Sequence, residues 1–375
     1  MIVRRYNGFG GVEHQIEHIS KGLVLEGWKV FLLTDRLSPF SEALTQNGVK
    51  VIVVSFGNCL RSGFLIRQIC IKYKIQFIQA HMFNEDIRCR FAKLLYPRLK
   101  HIYRVHTYID CSFISDLKKN LYHLIAYMTD RLVDYYLPIN RLNKIELEMR
   151  SKVKSSKILI VHDAVREFDV SSDHEKFLKN KKLVMIANFD EVKGHEIAVE
   201  GLKKLKDKGY KFELGLIGGV PKQGTEEEDS TILNKIQMMI RKFDLDKDIV
   251  FYGYLTDIGE VLKNYETVIL TSYSEGTPNC LLEGMKMRKL VISSKVGGVP
   301  EFISDGLNGF LFYPNTAEEF ANKVENVYQK ENGELDTIIE NGWRTVEKKF
   351  SIKNMINRLI CIYDYLDSKN PIAYF

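Results

Sequence analysis

The stretch from Thr267 to Glu283 reads TVILTSYSEGTPNCLLE and combines the two features that decide the fold. Its apolar start, Thr267–Thr271, is typical of a buried strand. Thr277 is a favourable helix N-cap and Pro278 fits the first helical position, so a helix is predicted to begin here. A buried strand joined to a helix by a polar loop is the repeating unit of a doubly wound parallel sheet.

The same unit recurs along the chain and predicts an α/β protein with two groups of strands. Short apolar runs typical of strands lie at residues 2–5, 51–55, 77–80, 102–106 and 158–161, and again at 183–188, 212–217, 249–252, 267–271 and 290–294. Helix-length segments such as Glu13–Glu26 and Leu117–Asp134 lie between them. The polar stretch Arg166–Lys182 separates the two groups and predicts an interdomain linker.

These boundaries predict two Rossmann-like, doubly wound domains that face a central cleft. Residues 1–170 form the first domain and residues 171–351 the second, and a C-terminal helix at about residues 352–375 is expected to pack back on the first. Ligands of such sheets bind beyond the carboxyl ends of the strands. Functional residues are therefore expected in the loops that follow strands.

Length and composition fit a folded protein of this size. The chain has 375 residues, of which 45% are hydrophobic and 27% charged, which is ordinary for a globular protein with two cores. No run of 18 uncharged apolar residues occurs, and Met1–Gly11 lacks the apolar centre of a signal peptide, so a cytoplasmic location is predicted. The six cysteines have no close spacing, which favours reduced thiols over zinc ligands or a redox pair.

The basic residues are concentrated in the first half of the chain. Residues 1–170 carry 26 Lys and Arg against 16 Asp and Glu, whereas the remainder carries 28 against 32. The densest stretch, Arg61–Arg104, has ten basic residues interleaved with aromatic and aliphatic ones. It predicts either a surface that contacts an anionic membrane leaflet or an ordinary solvated basic face around a core. Nucleic acid is not expected as a partner, because no recognisable binding module accompanies the charge.

Two loops are candidate phosphate sites. Gly10 and Gly11 precede a predicted helix, where glycines let the backbone approach an anion at the helix N-terminus, although such turns are also common structural features. Lys193 lies in the loop Asp190–Gly194 after a predicted strand. Its ammonium group suits a diphosphate, but a lone lysine is also a common solvated surface charge.

Two carboxylates flank the helix start described above. Glu275 lies in the loop and Glu283, eight residues later, lies inside the helix. Carboxylates beside a phosphate site can accept hydrogen bonds from sugar hydroxyls. They can equally be favourable charges near a helix N-terminus, and spacing alone leaves both interpretations open.

The segment Glu275–Met285 closely resembles the signature of family 4 glycosyltransferases, which are retaining enzymes of the GT-B fold. The resemblance continues through Val291–Ile303 and Asp305–Leu311, and it extends to Gly10–Glu13 and Lys193-Gly194. Order and spacing match across most of the chain. The family pattern implies that the first domain binds the acceptor and the second binds a nucleotide sugar.

The resemblance implies a donor site made of Gly10, Gly11, Lys193, Glu275, Gly276, Thr277, Pro278, Asn279 and Glu283. In this site Lys193 neutralises the diphosphate leaving group. Glu275 holds hydroxyls of the transferred sugar, together with the amides around Thr277, and Glu283 holds the ribose. His106 resembles the family's histidine that faces the transferred sugar, and His81 is a second candidate.

The chain departs from the family pattern at several positions. Asn188 and Asp190 stand where relatives carry a second cation for the diphosphate, so binding of that group is expected to depend more heavily on Lys193. Asp163-Ala164 replaces an Asn-Gly pair near the domain boundary, and Asn140 replaces a serine. These departures affect details of the hinge and the phosphate loop, while the class stays the same.

The resemblance implies transfer of a hexose from a UDP- or GDP-linked donor to a hydroxyl of a growing glycan, with retention and without a metal or cofactor. A bacterial surface polysaccharide or lipopolysaccharide, built on a lipid-linked acceptor at the inner face of the plasma membrane, is the predicted product. A GT-B sugar phosphorylase or nucleotide-sugar epimerase is an alternative. A non-catalytic partner subunit is a further alternative, although it would be expected to have lost Lys193, Glu275 or the Gly10-Gly11 loop, and all three are present.

Overall fold

The computed structural model describes residues 1–6, 11–106, 116–168, 180–220, 230–255, 257–313 and 315–368. The chain divides into two compact units. The first unit comprises Met1–Ala164 together with Phe350–Phe375, and the second comprises Val165–Lys349. Gly10 and most of the stretch predicted as a linker lie outside the described residues.

The first unit contains a parallel six-stranded sheet in the order β3-β2-β1-β4-β5-β6. Its strands are β1 Ile2–Val3, β2 Phe31–Thr34, β3 Lys50–Val53, β4 Phe77–Ala80, β5 Lys100–Val105 and β6 Tyr135–Pro138. Its helices up to the unit boundary are α1 Gly11–Leu25, α2 Pro39–Gln46, α3 Cys59–Lys72, α4 Phe83–Leu95, α5 Asp116–Met128 and α6 Arg141–Met149.

This sheet is covered on both faces. Ile2 and Leu32 belong to one hydrophobic cluster, whereas their neighbours Val3 and Leu33 belong to another. Successive residues of a strand point to opposite faces, so these apolar runs supply two cores at once.

The second unit contains a parallel six-stranded sheet in the order β12-β11-β10-β7-β8-β9. Its strands are β7 Lys182–Ile186, β8 Glu213–Ile217, β9 Ile249–Gly253, β10 Thr267–Leu270, β11 Leu290–Ser294 and β12 Phe310–Phe312. Its helices are α7 His195–Asp207, α8 Thr231–Lys242, α9 Gly259–Lys263, α10 Asn279–Lys286, α11 Ala317–Gln329 and α12 Asn332–Lys349. All residues of β10 are buried, as its continuous apolar sequence predicts.

The last helix, α13 Ile352–Ser368, returns to the first unit. Ile356 and Leu359 of this helix share a hydrophobic cluster with Ile16 and Ile19 of α1. A Cβ on Gly22 would lie 2.4 Å from Ile356, so the glycine is what lets the two helices approach.

Several elements differ from the sequence prediction. Residues 158–161 are not a strand. Ile158 forms only an isolated bridge to Tyr136, and the sixth place in the sheet belongs to β6. The helix predicted at residues 117–134 ends at Met128, where Thr129 turns its hydroxyl back to the Ile125 carbonyl and a short 3-10 turn follows. Strands β2, β6 and β12 were not predicted.

The buried side chain of Arg90 connects several elements of the first unit. Its guanidinium lies 2.7 Å from the Asp86 carboxylate, and both side chains are almost completely buried. It also donates to the Ala126 carbonyl of α5 at 3.0 Å and to the Tyr136 hydroxyl of β6 at 3.1 Å. The arginine therefore ties α4 to two neighbouring elements.

We expect Asp86→Asn to lower the free energy of unfolding by about 3–5 kcal/mol, because the Arg90 charge would stay buried without a full counter-charge. Urea unfolding followed by circular dichroism, with hydrogen exchange to report on the first unit, measures the loss. Lys21→Ala is the control, because it removes only a partly exposed pair with Glu17 and should change stability by less than about 1 kcal/mol. Equal losses in the two variants would contradict the prediction.

Candidate functional site

The loops that follow β7, β10, β11 and β12 meet at the carboxyl edge of the second sheet. The Tyr273 amide donates to the Val192 carbonyl at 2.8 Å, and the Gly298 amide donates to the Gly276 carbonyl at 3.0 Å. The Asn315 side-chain amide donates to the Ser272 carbonyl at 2.9 Å. These bonds fix the relative positions of the loops before any ligand is considered.

The loop that carries Lys193 is held against strand β10. Asp190 caps the short 3-10 turn Glu191–Lys193 by accepting from the Val192 amide at 3.0 Å. Gly194 has φ of 64°, and a Cβ there would lie 2.3 Å from the Thr271 carbonyl oxygen. The Thr271 hydroxyl donates to the Gly194 carbonyl at 2.8 Å. Only glycine fits this close approach, and the approach places Lys193 beside the loop after β10.

Lys193 and Glu275, both predicted as site residues, are brought into direct contact. The Lys193 Nζ lies 2.9 Å from the Glu275 Oε1, and the Ser272 hydroxyl donates to the same oxygen at 2.6 Å. The Glu275 side chain is only 9% exposed and that of Lys193 is 30% exposed. Burial opposes the charge on Lys193, but Glu275 outweighs burial, and the pKa of the lysine is raised. Lys193 therefore keeps its charge, and the contact holds both side chains at the edge of the sheet.

Helix α10 begins one residue later than the sequence predicted. Pro278, with φ of −71° and ψ of 112°, occupies the N-cap position, and the helix runs from Asn279. Thr277 is therefore not the N-cap, because Pro278 itself is still extended. The N-cap proline makes no side-chain hydrogen bond to the helix, and the first amides of α10 lie at the end that favours an anion.

Glu283 lies on α10 and contacts an arginine that the sequence analysis did not single out. The Arg166 Nε is 3.1 Å from the Glu283 Oε1, and Arg166 also lies 3.6 Å from Asp257. The Arg166 guanidinium stacks on the ring of Phe168 at 4.6 Å. Burial raises the pKa of Glu283, Arg166 partly offsets this, and the resulting pKa is about 7.

In the first unit, His106 follows β5 and His81 follows β4, and their rings stack with centroids 5.2 Å apart. The His81 Nδ1 lies 2.9 Å from the His106 Nε2, and the His106 Nδ1 lies 3.3 Å from Asp163. Arg104 donates to Asp163 at 2.6 Å. Burial disfavours the charge on Asp163, but His106 and Arg104 outweigh it and lower the pKa to about 2. Both predicted histidines therefore share one buried cluster with Asp163, the residue that replaces the asparagine of the family pattern.

The structure places the remaining predicted residues as follows. Gly11 is exposed and opens α1, whereas Gly10 lies outside the described residues, so the phosphate role of this loop stays a prediction. Glu13 of the same helix pairs with Arg4 at 2.7 Å. Asn188 accepts from the Gly219 amide at 3.1 Å, so its side chain braces the loop where relatives carry a cation. Asn140 caps α6 by accepting from the Asn143 amide at 2.8 Å.

Sequence reasoning missed several residues that build the site. Arg166 was treated as part of a polar linker, and Ser272 carried no signal beyond its place after a buried strand. Asn315 follows β12, a strand that was not predicted. Gly297 lies within the family-like segment Val291–Ile303, where the resemblance implies no particular role for it. It has φ of 51°, and a Cβ there would lie 1.7 Å from the Glu275 carbonyl oxygen.

The family model described as Glycosyl transferases group 1 matches residues 167–344, nearly the whole second unit. A Campylobacter jejuni protein, N,N'-diacetylbacillosaminyl-diphospho-undecaprenol alpha-1,3-N-acetylgalactosaminyltransferase, is 24% identical over 82% of this chain and 84% of its own. The capsular polysaccharide biosynthesis glycosyltransferase CapM of Staphylococcus aureus is 24% identical over 45% of this chain and 42% of its own. The chain spans less than half the length of several curated relatives that it matches.

Two solved structures are similar to the chain over nearly its full length. A glycosyltransferase from Rickettsia africae ESF-5 has a TM-score of 0.82 at 20% identity and covers 98% of both chains. Anabaena Alr3699/HepE in complex with UDP and glucose has a TM-score of 0.78 at 17% identity and also covers 98% of both. The fold is therefore GT-B, as the sequence predicted. Together the comparisons support a place in the glycosyltransferase superfamily.

We expect Gly297→Ala to destabilise the second unit more than Gly306→Ala does. Both glycines have positive φ, so each alanine carries a similar backbone strain of about 1–2 kcal/mol. A Cβ at Gly306 meets nothing within 4 Å, whereas one at Gly297 collides with the Glu275 loop and should cost about a further 1–3 kcal/mol. Hydrogen exchange in the second unit measures the difference, and equal losses would show that Gly297 does not support this loop.

Proposed function

We propose that this protein is a retaining family 4 glycosyltransferase that moves a hexose from a nucleoside-diphosphate sugar to a hydroxyl of a growing glycan. The observation that carries the proposal is the contact between Lys193 and Glu275, 2.9 Å apart at the carboxyl edge of the second sheet. A cation and a carboxylate side by side suit a ligand in which a phosphate adjoins a sugar. The match of the group 1 family model to this unit supports the same class.

In the proposed reaction the bond between the anomeric carbon and the diphosphate breaks, and the acceptor oxygen bonds to the same face of the sugar. The acceptor hydroxyl gives its proton to the departing phosphate oxygen, and the nucleoside diphosphate leaves. Negative charge grows on the departing diphosphate, where Lys193 and the first amides of α10 stabilise it. Glu275 holds hydroxyls of the sugar, and His106 faces the sugar as the family resemblance implies. No side chain is assigned as a nucleophile.

We propose that the donor is linked to UDP or GDP, with Glu283 accepting from the ribose hydroxyls. The similar structure of HepE holds UDP, which makes UDP sugars the first probes to use. Arg166 keeps Glu283 paired in the free protein, at 3.1 Å. The charge for the diphosphate comes from Lys193, so the reaction is proposed to need no metal. Among the described residues, no group of three His, Cys, Asp or Glu has a metal-binding arrangement.

Turnover of a UDP or GDP sugar tests the donor site, because nucleoside diphosphate release can be followed before the acceptor is known. Lys193→Ala and Glu275→Gln should each lower release by about 100-fold or more, the effect of removing one charge-stabilising group. Lys211→Ala, which removes an exposed lysine of the same unit, is the control and should keep full activity. Full activity in both site variants would sink the assignment.

The same assay separates the alternatives. A sugar phosphorylase would require inorganic phosphate, and a nucleotide-sugar epimerase would change the sugar without releasing nucleotide. A non-catalytic subunit would release nothing with any donor, alone or with an acceptor. A glycosylated product formed from a nucleotide sugar without phosphate supports the proposed class and excludes all three.

We further propose that the acceptor is a lipid-linked glycan of a bacterial surface polysaccharide or lipopolysaccharide, reached at the inner face of the plasma membrane. The Campylobacter jejuni relative is named for an undecaprenol-linked acceptor. No described helix is both long enough and apolar enough to cross a bilayer, so contact is proposed to be peripheral.

Helix α3 supports a peripheral contact. It exposes Leu60 in its first turn, Phe64 and Ile71, and it carries the exposed cations Arg61 and Lys72 without any acidic residue. The wider basic stretch predicted from the sequence is only partly available, because Arg90 and Arg104 are buried in ion pairs. An apolar and basic helix of this kind suits an anionic leaflet.

Arg61→Ala combined with Lys72→Ala should weaken binding to vesicles that contain anionic lipid by about 30-fold, at about 1 kcal/mol for each basic residue. Co-sedimentation with phosphatidylglycerol vesicles measures the change. Lys211→Ala combined with Lys235→Ala removes the same charge from the exposed surface of the second unit and is the matched control. Equal weakening in the two double variants would remove α3 as the contact.

A further inference from the structure

His106 belongs to a buried chain of hydrogen bonds that runs through the first unit to helix α13. The Tyr363 hydroxyl donates to the Gln79 Oε1 at 2.7 Å, and the Gln79 Nε2 lies 2.8 Å from the His81 Nε2. The His81 Nδ1 lies 2.9 Å from the His106 Nε2, and the His106 Nδ1 lies 3.3 Å from Asp163. Each member of the chain is less than a tenth exposed.

The chain has one consistent arrangement of protons when both histidines are neutral. Asp163 is ionised and can only accept, so the His106 Nδ1 must carry the hydrogen that faces it. The His106 Nε2 is then an acceptor, and the His81 Nδ1 must donate to it. The His81 Nε2 is in turn an acceptor for the Gln79 amide, whose oxygen accepts from Tyr363. Every donor points toward Asp163.

Adding a proton to this chain breaks the arrangement. A hydrogen on the His106 Nε2 would force the His81 Nδ1 to become an acceptor. A neutral His81 would then carry its hydrogen on Nε2, where it would face the hydrogens of the Gln79 amide and form no bond. Only rotation of the Gln79 amide removes that conflict, and rotation gives up the bond that Tyr363 donates. In a buried network an unmade hydrogen bond is costly, so the chain resists protonation.

The charged groups around the two histidines act in both directions. Asp163 favours a positive charge on His106. A positive charge on His81 is disfavoured chiefly by burial. His106, Arg104 and Arg4 add to this effect, and together they hold the pKa of His81 well below its ordinary value. The geometry of the chain adds to the effect of the arginines.

We infer that Gln79, His81 and Tyr363 are positioning residues that hold His106 as the neutral tautomer protonated at Nδ1. The inference rests on the proposed function for its consequence. Positive charge develops on the sugar as the diphosphate departs, and an imidazolium beside it would oppose that charge. A chain that keeps His106 neutral would preserve transfer activity as the pH falls. Helix α13 contributes to this through Tyr363.

The tautomers can be measured without any activity, by the nitrogen-15 shifts of the histidine rings in the full-length protein. The expected result at pH 7 is that His81 and His106 are both neutral and both protonated at Nδ1. In Gln79→Glu the new carboxylate must accept from the His81 Nε2, and only one hydrogen fits between the His81 Nδ1 and the His106 Nε2, so one of the two rings should shift to the doubly protonated signature. A neutral Nε2-protonated form of either histidine in the unsubstituted protein would overturn the inference.

Tyr363→Phe tests the far end of the chain, because it frees the Gln79 amide to rotate. The acid limb of the pH profile of nucleotide release should move upward by about one pH unit, the order of shift that one lost hydrogen bond produces. Tyr365→Phe, which removes another hydroxyl from α13, is the control and should leave the limb in place. Identical profiles for the two variants would also overturn the inference. Absence of transfer activity alongside the expected tautomers would instead count against the proposed function alone.

Discussion

The hydrogen bond from the Thr271 hydroxyl to the Gly194 carbonyl joins the two loops that carry the charged pair of the second unit. It can form because β7 and β10 are adjacent parallel strands, so the loops after them leave the sheet at the same edge. Gly194 supplies the remaining condition, because any side chain there would collide with the Thr271 carbonyl. Without this spacing Lys193 and Glu275 would be separate surface charges with little mutual stabilisation.

Among the described strands, the sequence did not predict β2, β6 and β12, of which β6 and β12 lie at sheet edges and β2 lies inside the first sheet. β10 and β11 are short continuous apolar runs, a pattern that identifies a central parallel strand. β6 ends in Pro138, and a proline argues against a strand except at a sheet edge, which is where β6 lies. β12 has only three residues, too few to show any periodicity. These segments are strands because their backbones pair with adjacent strands, and a single sequence does not show that pairing.

The predicted site residues were found by their pattern, but their partners were not. Glu283 stood out by its spacing from Glu275, whereas the arginine beside it lies 117 positions earlier, in a stretch whose polarity indicated only a linker. Ser272 contacts Glu275 because the loop turns back on itself, and that turn depends on Asn315 and Gly297 from later loops. The misplaced cap at Thr277 has a local cause, since a proline can extend the chain before a helix as well as open it.

The carboxylates of the second unit share a feature that the proposed chemistry can use. Glu275 is paired with Lys193 and Glu283 with Arg166, so each of these two partly buried carboxyl groups has a cationic partner in the free protein. A partly buried carboxylate that loses its partner is destabilising, so these pairs contribute to the stability of the second unit. A nucleotide sugar offers phosphate oxygens to the cations and hydroxyls to the carboxylates. Under the proposed function, binding would exchange one set of partners for another while each charged group stays satisfied.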